Sequence, residues 1–133
     1  MQKVHLVLGY LGLIPFLGLA ALDVYGFAMA EVLLLSYAVL ILSFLGGVVW
    51  AMSLYYRLPA LVAVVSNLAM LLAWVALGLH AWSGVLYLVA VLMLLLLLFE
   101  YWQLGDLYEE AFLRMRLTLT LVAALSLMVA AVV

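Results

Sequence analysis

Residues 58–99 form a run of 42 amino acids without a single Asp, Glu, Lys or Arg. Three shorter uncharged runs cover residues 4–22, 32–56 and 117–133. Because a transmembrane helix needs about 20 apolar residues, each shorter run has the length of one span and the longest run that of two. The longest run divides at residues 78–84, where Gly and Ser favour a turn and Trp82 favours the membrane interface. The uncharged runs therefore predict five membrane spans.

The predicted fold class is all-α. Backbone groups in lipid must pair within the protein, and the uninterrupted run Leu94–Leu98 lacks the alternation of a barrel strand, so we expect helices. We predict a single domain, residues 1–133, that is an integral membrane bundle of five transmembrane helices. These predicted helices cover about residues 4–22, 29–54, 59–79, 84–102 and 111–133.

The composition excludes several classes of protein. Hydrophobic residues make up 74% of the chain and charged residues 8%, whereas a soluble domain has about 45–50% and about 25%. Four basic residues and a net charge of −2 offer no patch for a nucleic-acid backbone, so we expect no nucleic-acid partner. The absence of cysteine from the sequence excludes disulfides, Cys-bound zinc and iron–sulfur clusters. The partner that this composition predicts is the lipid bilayer.

The distribution of basic residues predicts the orientation. Lys3 precedes the first predicted helix, and Arg57 lies between the second and the third. Arg114 and Arg116 lie near the junction of the fourth and fifth helices. In a five-helix bundle all four residues fall on one side, and the positive-inside rule assigns that side to the cytoplasm. We therefore predict an N-in/C-out topology.

Polar and small residues on the second and third predicted helices suggest either packing or a binding site. Ser36, Ser43, Gly47 and Trp50 are spaced by seven, four and three residues, so they share one helix face. Such a face serves as a packing seam or as the wall of a ligand cavity. Asn67, the only amide deep in a predicted span, lies at a depth similar to that of Ser43. We predict a hydrogen bond between these two side chains, with a binding site as the alternative.

Glu100 is the deepest carboxylate of the sequence, about one turn inside the inner end of the fourth predicted helix. An ionisable residue within a span is a functional candidate, and we predict Arg57 and Arg116 as its partners. The alternative is a structural ion pair at the headgroup level or a snorkelling side chain. The candidate polar cluster of the sequence consists of Ser43, Trp50, Arg57, Asn67, Glu100 and Arg116.

Other residues of the chain predict a bend but no catalytic site. Pro15 predicts a kink in the first helix, because proline lacks an N–H and clashes with the carbonyl of Leu11. His5 and His80 belong to opposite sides of the membrane, so one haem iron cannot bind both. The sequence contains neither a His-x-x-x-His pair nor a Gly-rich phosphate loop. We expect no cofactor, no metal site and no enzymatic activity.

Four segments taken in order carry a family resemblance: residues 8–16, 41–50, 57–59 and 113–120. The most specific part is Ser43-Phe44-Leu45-Gly46-Gly47 followed by Trp50. The chain resembles the small bacterial membrane-protein family named only as domain of unknown function 3429, to which the mitochondrial transmembrane protein 69 is related. The resemblance covers nearly the whole chain and implies a multi-pass protein of the bacterial inner (cytoplasmic) membrane. It implies no activity.

Three functions are compatible with these features. The first is a non-catalytic accessory, assembly or scaffolding protein that packs against other membrane proteins. The alternative is a pathway or binding protein for a small molecule, a lipid or an ion, with a polar cavity in the inner half of the bundle, formed by one chain or by a homo-oligomer. A membrane enzyme or redox protein is the third, and the sequence offers it no ligand set. A filled core would favour the first function, and a polar cavity open to one side would favour the second.

Overall fold

The computed structural model describes residues 3–132, and over this range the chain forms six helices and no strand. They are α1 (Lys3–Leu11), α2 (Leu13–Val24), α3 (Ala30–Tyr55), α4 (Ala60–Gly78), α5 (Val85–Leu104) and α6 (Glu110–Val132). Because α1 and α2 follow each other directly, they form one apolar stretch of 22 residues. The described residues thus contain five segments long and apolar enough to cross a membrane, which confirms the predicted all-α chain with five apolar helical stretches.

The first apolar stretch is interrupted at Gly12, between α1 and α2. Pro15 is the third residue of α2, a position in the first turn where its missing N–H costs no helical hydrogen bond. The Tyr37 hydroxyl of α3 donates to the carbonyl of Gly12 at 2.7 Å. The helix is thus interrupted three residues before Pro15, and the carbonyl that gains a side-chain partner belongs to Gly12 and not to Leu11. This hydrogen bond ties the interruption in the first span to α3.

Two helices end in a left-handed residue. Gly26 has φ 84° after α2, and the N–H of Phe27 reaches back to the carbonyl of Leu22 at 2.9 Å. Arg57 has φ 52° after α3, and the N–H of Leu58 reaches back to the carbonyl of Ser53 at 3.0 Å. Both patterns are Schellman motifs, which satisfy the last carbonyls of a helix and reverse the chain. They place each following helix antiparallel to the one before.

The core lies where α2, α3, α5 and α6 meet, with α4 packed on the outer side of α3 and α5. Leu34, Leu42 and Leu86 are completely buried there. Large apolar side chains also cover the outside, for example Leu40 and Leu98, which are 67% and 66% exposed. An outer surface of this kind suits a lipid environment, because lipid tails are as apolar as the core.

α3 packs against α4 through Gly46. A Cβ atom on Gly46 would lie 2.9 Å from the backbone carbonyl oxygen of Ser66, so only glycine permits this close approach. A Cβ atom on the neighbouring Gly47 would meet nothing within 4 Å, and Trp50 is 46% exposed. The predicted packing seam through Ser36, Ser43, Gly47 and Trp50 is therefore wrong at Gly47 and Trp50. The face of α3 that contacts α4 contains Gly46, one residue before the predicted Gly47.

Candidate functional site

A buried ion pair joins α5 to α6. Glu100 lies four residues before the end of α5 and Arg116 six residues after the start of α6, which is about 6 Å and about 9 Å along the axes. Arg116 Nη2 donates to Glu100 Oε1 at 2.6 Å, and Arg116 Nε donates to Glu100 Oε2 at 3.1 Å. The two side chains are 3% and 2% exposed. The contact is thus a bidentate, charge-assisted pair shielded from the surroundings.

Two hydroxyl groups complete the hydrogen bonding of this pair. Tyr108 donates to Glu100 Oε2 at 3.2 Å, and Arg116 Nη1 donates to Thr120 Oγ1 at 2.9 Å. Among the described residues, every buried side-chain nitrogen or oxygen has a hydrogen-bond partner. Both charges are therefore neutralised within the protein, at the cost of a large desolvation.

The turn between α5 and α6 places Tyr108 over the pair. A Cβ atom on Gly105 would lie 2.5 Å from the carbonyl oxygen of Tyr101, so glycine is required where the chain leaves α5. The Tyr108 backbone N–H donates to Leu104 at 3.2 Å, and Leu104 is completely buried. Burial, and then the adjacent negative charge of Glu100, raise the pKa of Tyr108 above its usual range. Tyr108 therefore stays protonated and keeps donating to Glu100.

An apolar cleft of about 550 Å³ adjoins the arginine side of the ion pair. Its walls come from both halves of the first span, from α3 and from α6, with Met93 of α5 at the base. The lining runs from His5, near the start of α1, to Phe16 and Ala123, each 13 residues from the start of its span. From His5 to Phe16 the lining covers eleven helical steps, so the cleft extends about 16 Å along the bundle, starting near the end that carries the basic residues.

The cleft opens sideways between α1 and α3. Among the described helices, α1 contacts α2 and α6 but not α3. Leu8 of α1 and Phe44 of α3 line the cleft and are nevertheless 63% and 68% exposed, so they form its rim. The cleft thus has an opening on the side of the bundle, between α1 and α3.

The lining of the cleft is almost entirely apolar. Its polar side chains are those of His5, Arg116 and Thr120, and Arg116 is already paired with Glu100. A pocket of a few hundred cubic ångströms with apolar walls and few polar groups is typical of a ligand site. The chemistry of this lining fits an apolar ligand and provides no unpaired charge deep in the cleft.

The family model described as "Protein of unknown function (DUF3429)" matches residues 1–132. The chain belongs to this family. The match confirms the resemblance that the sequence segments indicated, whereas the relation to the mitochondrial transmembrane protein 69 stays a prediction. No curated protein and no solved structure matches the chain.

In this family member, Arg116 is the predicted partner that binds Glu100. Arg57 is exposed in the turn after α3, and within residues 3–132 it makes no ion pair. The prediction of Arg57 as a second partner is therefore wrong. Arg57 is the left-handed residue of the Schellman turn that ends α3, and its side chain is exposed there.

The predicted hydrogen bond between Ser43 and Asn67 is also wrong. Asn67 Nδ2 donates to the carbonyl of Ala63 on its own helix at 2.9 Å, and the Asn67 side chain is exposed. Similar depth did not bring the two side chains together, because α4 turns Asn67 outward.

Of the six residues of the candidate polar cluster, the structure brings together Glu100 and Arg116. Arg116 is the one member of the cluster that lines the cleft. Trp50 is exposed on the outside of α3. The sequence interpretation missed Tyr108 and Thr120. Thr120 is recognisable as the residue one helical turn after Arg116, whereas the role of Tyr108 depends on how the α5–α6 turn folds back.

Proposed function

We propose that the chain is a non-catalytic protein of the bacterial inner membrane whose cleft holds the acyl chain of a phospholipid. The observation that carries this proposal is the apolar cleft with a lateral opening between α1 and α3. A lipid tail can enter such a cleft from the bilayer without crossing water. The length of the cleft, about 16 Å, is close to the thickness of one half of the hydrocarbon core, about 15 Å.

The polarity of the cleft supports the same occupant. Arg116 is neutralised by Glu100, so the deep part of the cleft offers no net charge to an ion or a charged substrate. His5 lies at the inner end, at the height of lipid headgroups if the chain is oriented N-in. An ion pathway has less support, because Trp50 and Asn67 of the predicted polar cluster lie on the outside of α3 and α4. The two buried members, Glu100 and Arg116, neutralise each other.

The occupant can be tested by filling the cleft. In Val48→Phe the larger ring takes up space on the α3 wall, and we expect the protein to lose most of its bound phospholipid. The protein is reconstituted in vesicles of phosphatidylethanolamine and phosphatidylglycerol, extracted in mild detergent and washed. Lipid that remains bound is then measured by mass spectrometry.

Val91→Phe is the matched control, because Val91 is 46% exposed on α5 and does not line the cleft. Wild type and Val91→Phe are expected to retain a stoichiometric phospholipid. If Val48→Phe retains as much lipid as Val91→Phe, the cleft is not the site. A retained apolar molecule that is not a phospholipid would reject the acyl chain as occupant but keep the cleft as a binding site.

We expect the N-in/C-out orientation because the basic residues of the chain all lie at one end of the bundle. A reporter enzyme that is active only outside the cytoplasm should be active when fused after Val133. The same reporter should be inactive when inserted between Gln103 and Glu110. The reverse pattern, or activity at both positions, would contradict this orientation.

An accessory or assembly role, in which the chain packs against other membrane proteins, is the second candidate. The observation that favours it is the exposed amide of Asn67 in the middle of α4. This role is compatible with lipid binding, since α4 contributes no residue to the cleft.

A further inference from the structure

Asn67 places an incompletely bonded amide on the outside of the bundle. One N–H of its Nδ2 donates to Ala63 at 2.9 Å. Within residues 3–132, no donor reaches its Oδ1 and no acceptor reaches the second N–H. The side chain therefore has one donor and one acceptor available, side by side on the same group.

The depth of Asn67 makes these free groups costly. The residue lies seven positions after the start of α4 and eleven before its end, which is about 10 Å and about 16 Å along the axis. In the hydrocarbon region no water is present to hydrogen-bond an amide, and an unpaired polar group there costs free energy. Association with another polar group at the same depth would remove that cost.

The face around Asn67 has the geometry of a helix–helix contact. α4 packs against α3 and α5, and among the described helices it has no other neighbour. Exposed residues follow its opposite side at alternating spacings of four and three, as in the seam of two packed helices. The seam consists of Ala60, Val64, Asn67, Leu71, Trp74 and Gly78, all of which are exposed.

We propose that this α4 seam binds a second copy of the same chain, related by a two-fold axis along the membrane normal. Two copies inserted in the same orientation hold Asn67 at the same depth. The free N–H of each amide then donates to Oδ1 of the other, so that one symmetric contact satisfies all four free groups. A different protein would have to provide a polar group of its own at this depth, whereas a second copy provides one by symmetry.

The outer end of the seam also has the relief that a close contact needs. Trp74 is 69% exposed, and a Cβ atom on Gly78 would meet nothing within 4 Å. Together with Val75 and Leu79 they border a shallow hollow. An aromatic ring of the partner can pack there. The dimer does not depend on what occupies the cleft, because the cleft lies on other helices.

The test uses the absence of cysteine from the sequence, since a single introduced cysteine is then the only thiol. Leu71→Cys lies one turn from Asn67 on the seam. Leu95→Cys is the control, because Leu95 is 55% exposed on α5 at a similar distance from the inner end. Each variant is purified, reconstituted at low density in phospholipid vesicles and oxidised. We expect a disulfide-linked dimer for Leu71→Cys and only the background level for Leu95→Cys.

Asn67→Leu, combined with Leu71→Cys, separates the amide contact from apolar packing. Loss of two interhelical hydrogen bonds should weaken association by on the order of tenfold, while thermal unfolding of the monomer in detergent stays unchanged. Equal cross-linking of Leu71→Cys and Leu95→Cys would overturn the proposal, and so would an association unaffected by Asn67→Leu. In native membranes, a cross-linked product of mass other than twice that of the chain would assign the seam to a different protein.

Discussion

Glu100→Gln and Arg116→Gln are each expected to lower the free energy of unfolding by about 3–5 kcal/mol, because each leaves its buried partner without a counter-charge. The bidentate contact is only 2–3% exposed, so solvent screens it weakly. After one partner has been neutralised, replacing the other breaks no ion pair, because the pair is already lost. The double variant should therefore be little less stable than either single variant. Reversible unfolding in mixed micelles of mild detergent and dodecyl sulfate measures these differences, and the double-mutant cycle gives the coupling.

Arg57→Gln provides the matched control for this cycle. Arg57 is an arginine near the same end of the bundle, but it is exposed and unpaired within the described residues. We expect a change within about 0.5 kcal/mol, additive with Glu100→Gln. Additivity between Glu100→Gln and Arg116→Gln would contradict the pair, and strong coupling between Glu100 and Arg57 would contradict the observed turn.

The number of apolar helices could be predicted from the sequence because charged residues and the turn at residues 78–84 separate them. The predicted fourth helix, residues 84–102, appears as Val85–Leu104, and the predicted fifth, residues 111–133, begins at Glu110. These ends agree because charges, Gly and Pro act locally on the chain. Arg116 could be predicted as a partner of Glu100 for a different reason: a chain with so few charged residues offers few possible partners.

The rotation of each helix could not be predicted in the same way. In a soluble protein, polar residues mark the outer face of a helix, but a lipid-facing surface is as apolar as the core. Asn67 looked like a buried polar residue by this reasoning, and the structure turns it outward. For α3 the error was one residue, between Gly46 and Gly47. Both residues are glycines in the same apolar stretch, so the sequence does not indicate which of them contacts the neighbouring helix.

The cleft was beyond prediction because it depends on the relative positions of four helices. It forms where α1 contacts α6 but not α3. The alternative function inferred from the sequence was a polar cavity for a small molecule, a lipid or an ion, whereas the observed lining is apolar and its arginine is paired. Of these three ligands, an apolar lining favours the lipid.

Gly46→Ala is expected to lower the free energy of unfolding by about 1–3 kcal/mol, as an overpacked contact does. The new Cβ atom would lie 2.9 Å from the carbonyl oxygen of Ser66, which belongs to the backbone of α4 and cannot rotate away. α3 and α4 must therefore separate. Gly47→Ala adds the same atom one residue later, where it meets nothing within 4 Å. There the better helix propensity of alanine is expected to leave stability unchanged or to raise it by up to about 1 kcal/mol.

These two glycines test which face of α3 is packed, because the chemical change is identical and only the rotation around the helix differs. Unfolding of both variants in the same mixed micelles gives the comparison. A destabilisation by Gly47→Ala with no effect of Gly46→Ala would restore the face of Ser43 and Trp50 as the contact with a neighbouring helix. A destabilisation by Gly46→Ala alone would confirm that Gly46 contacts Ser66 of α4. Asn67 is the next residue on α4 and is exposed, so this result would also support its outward position.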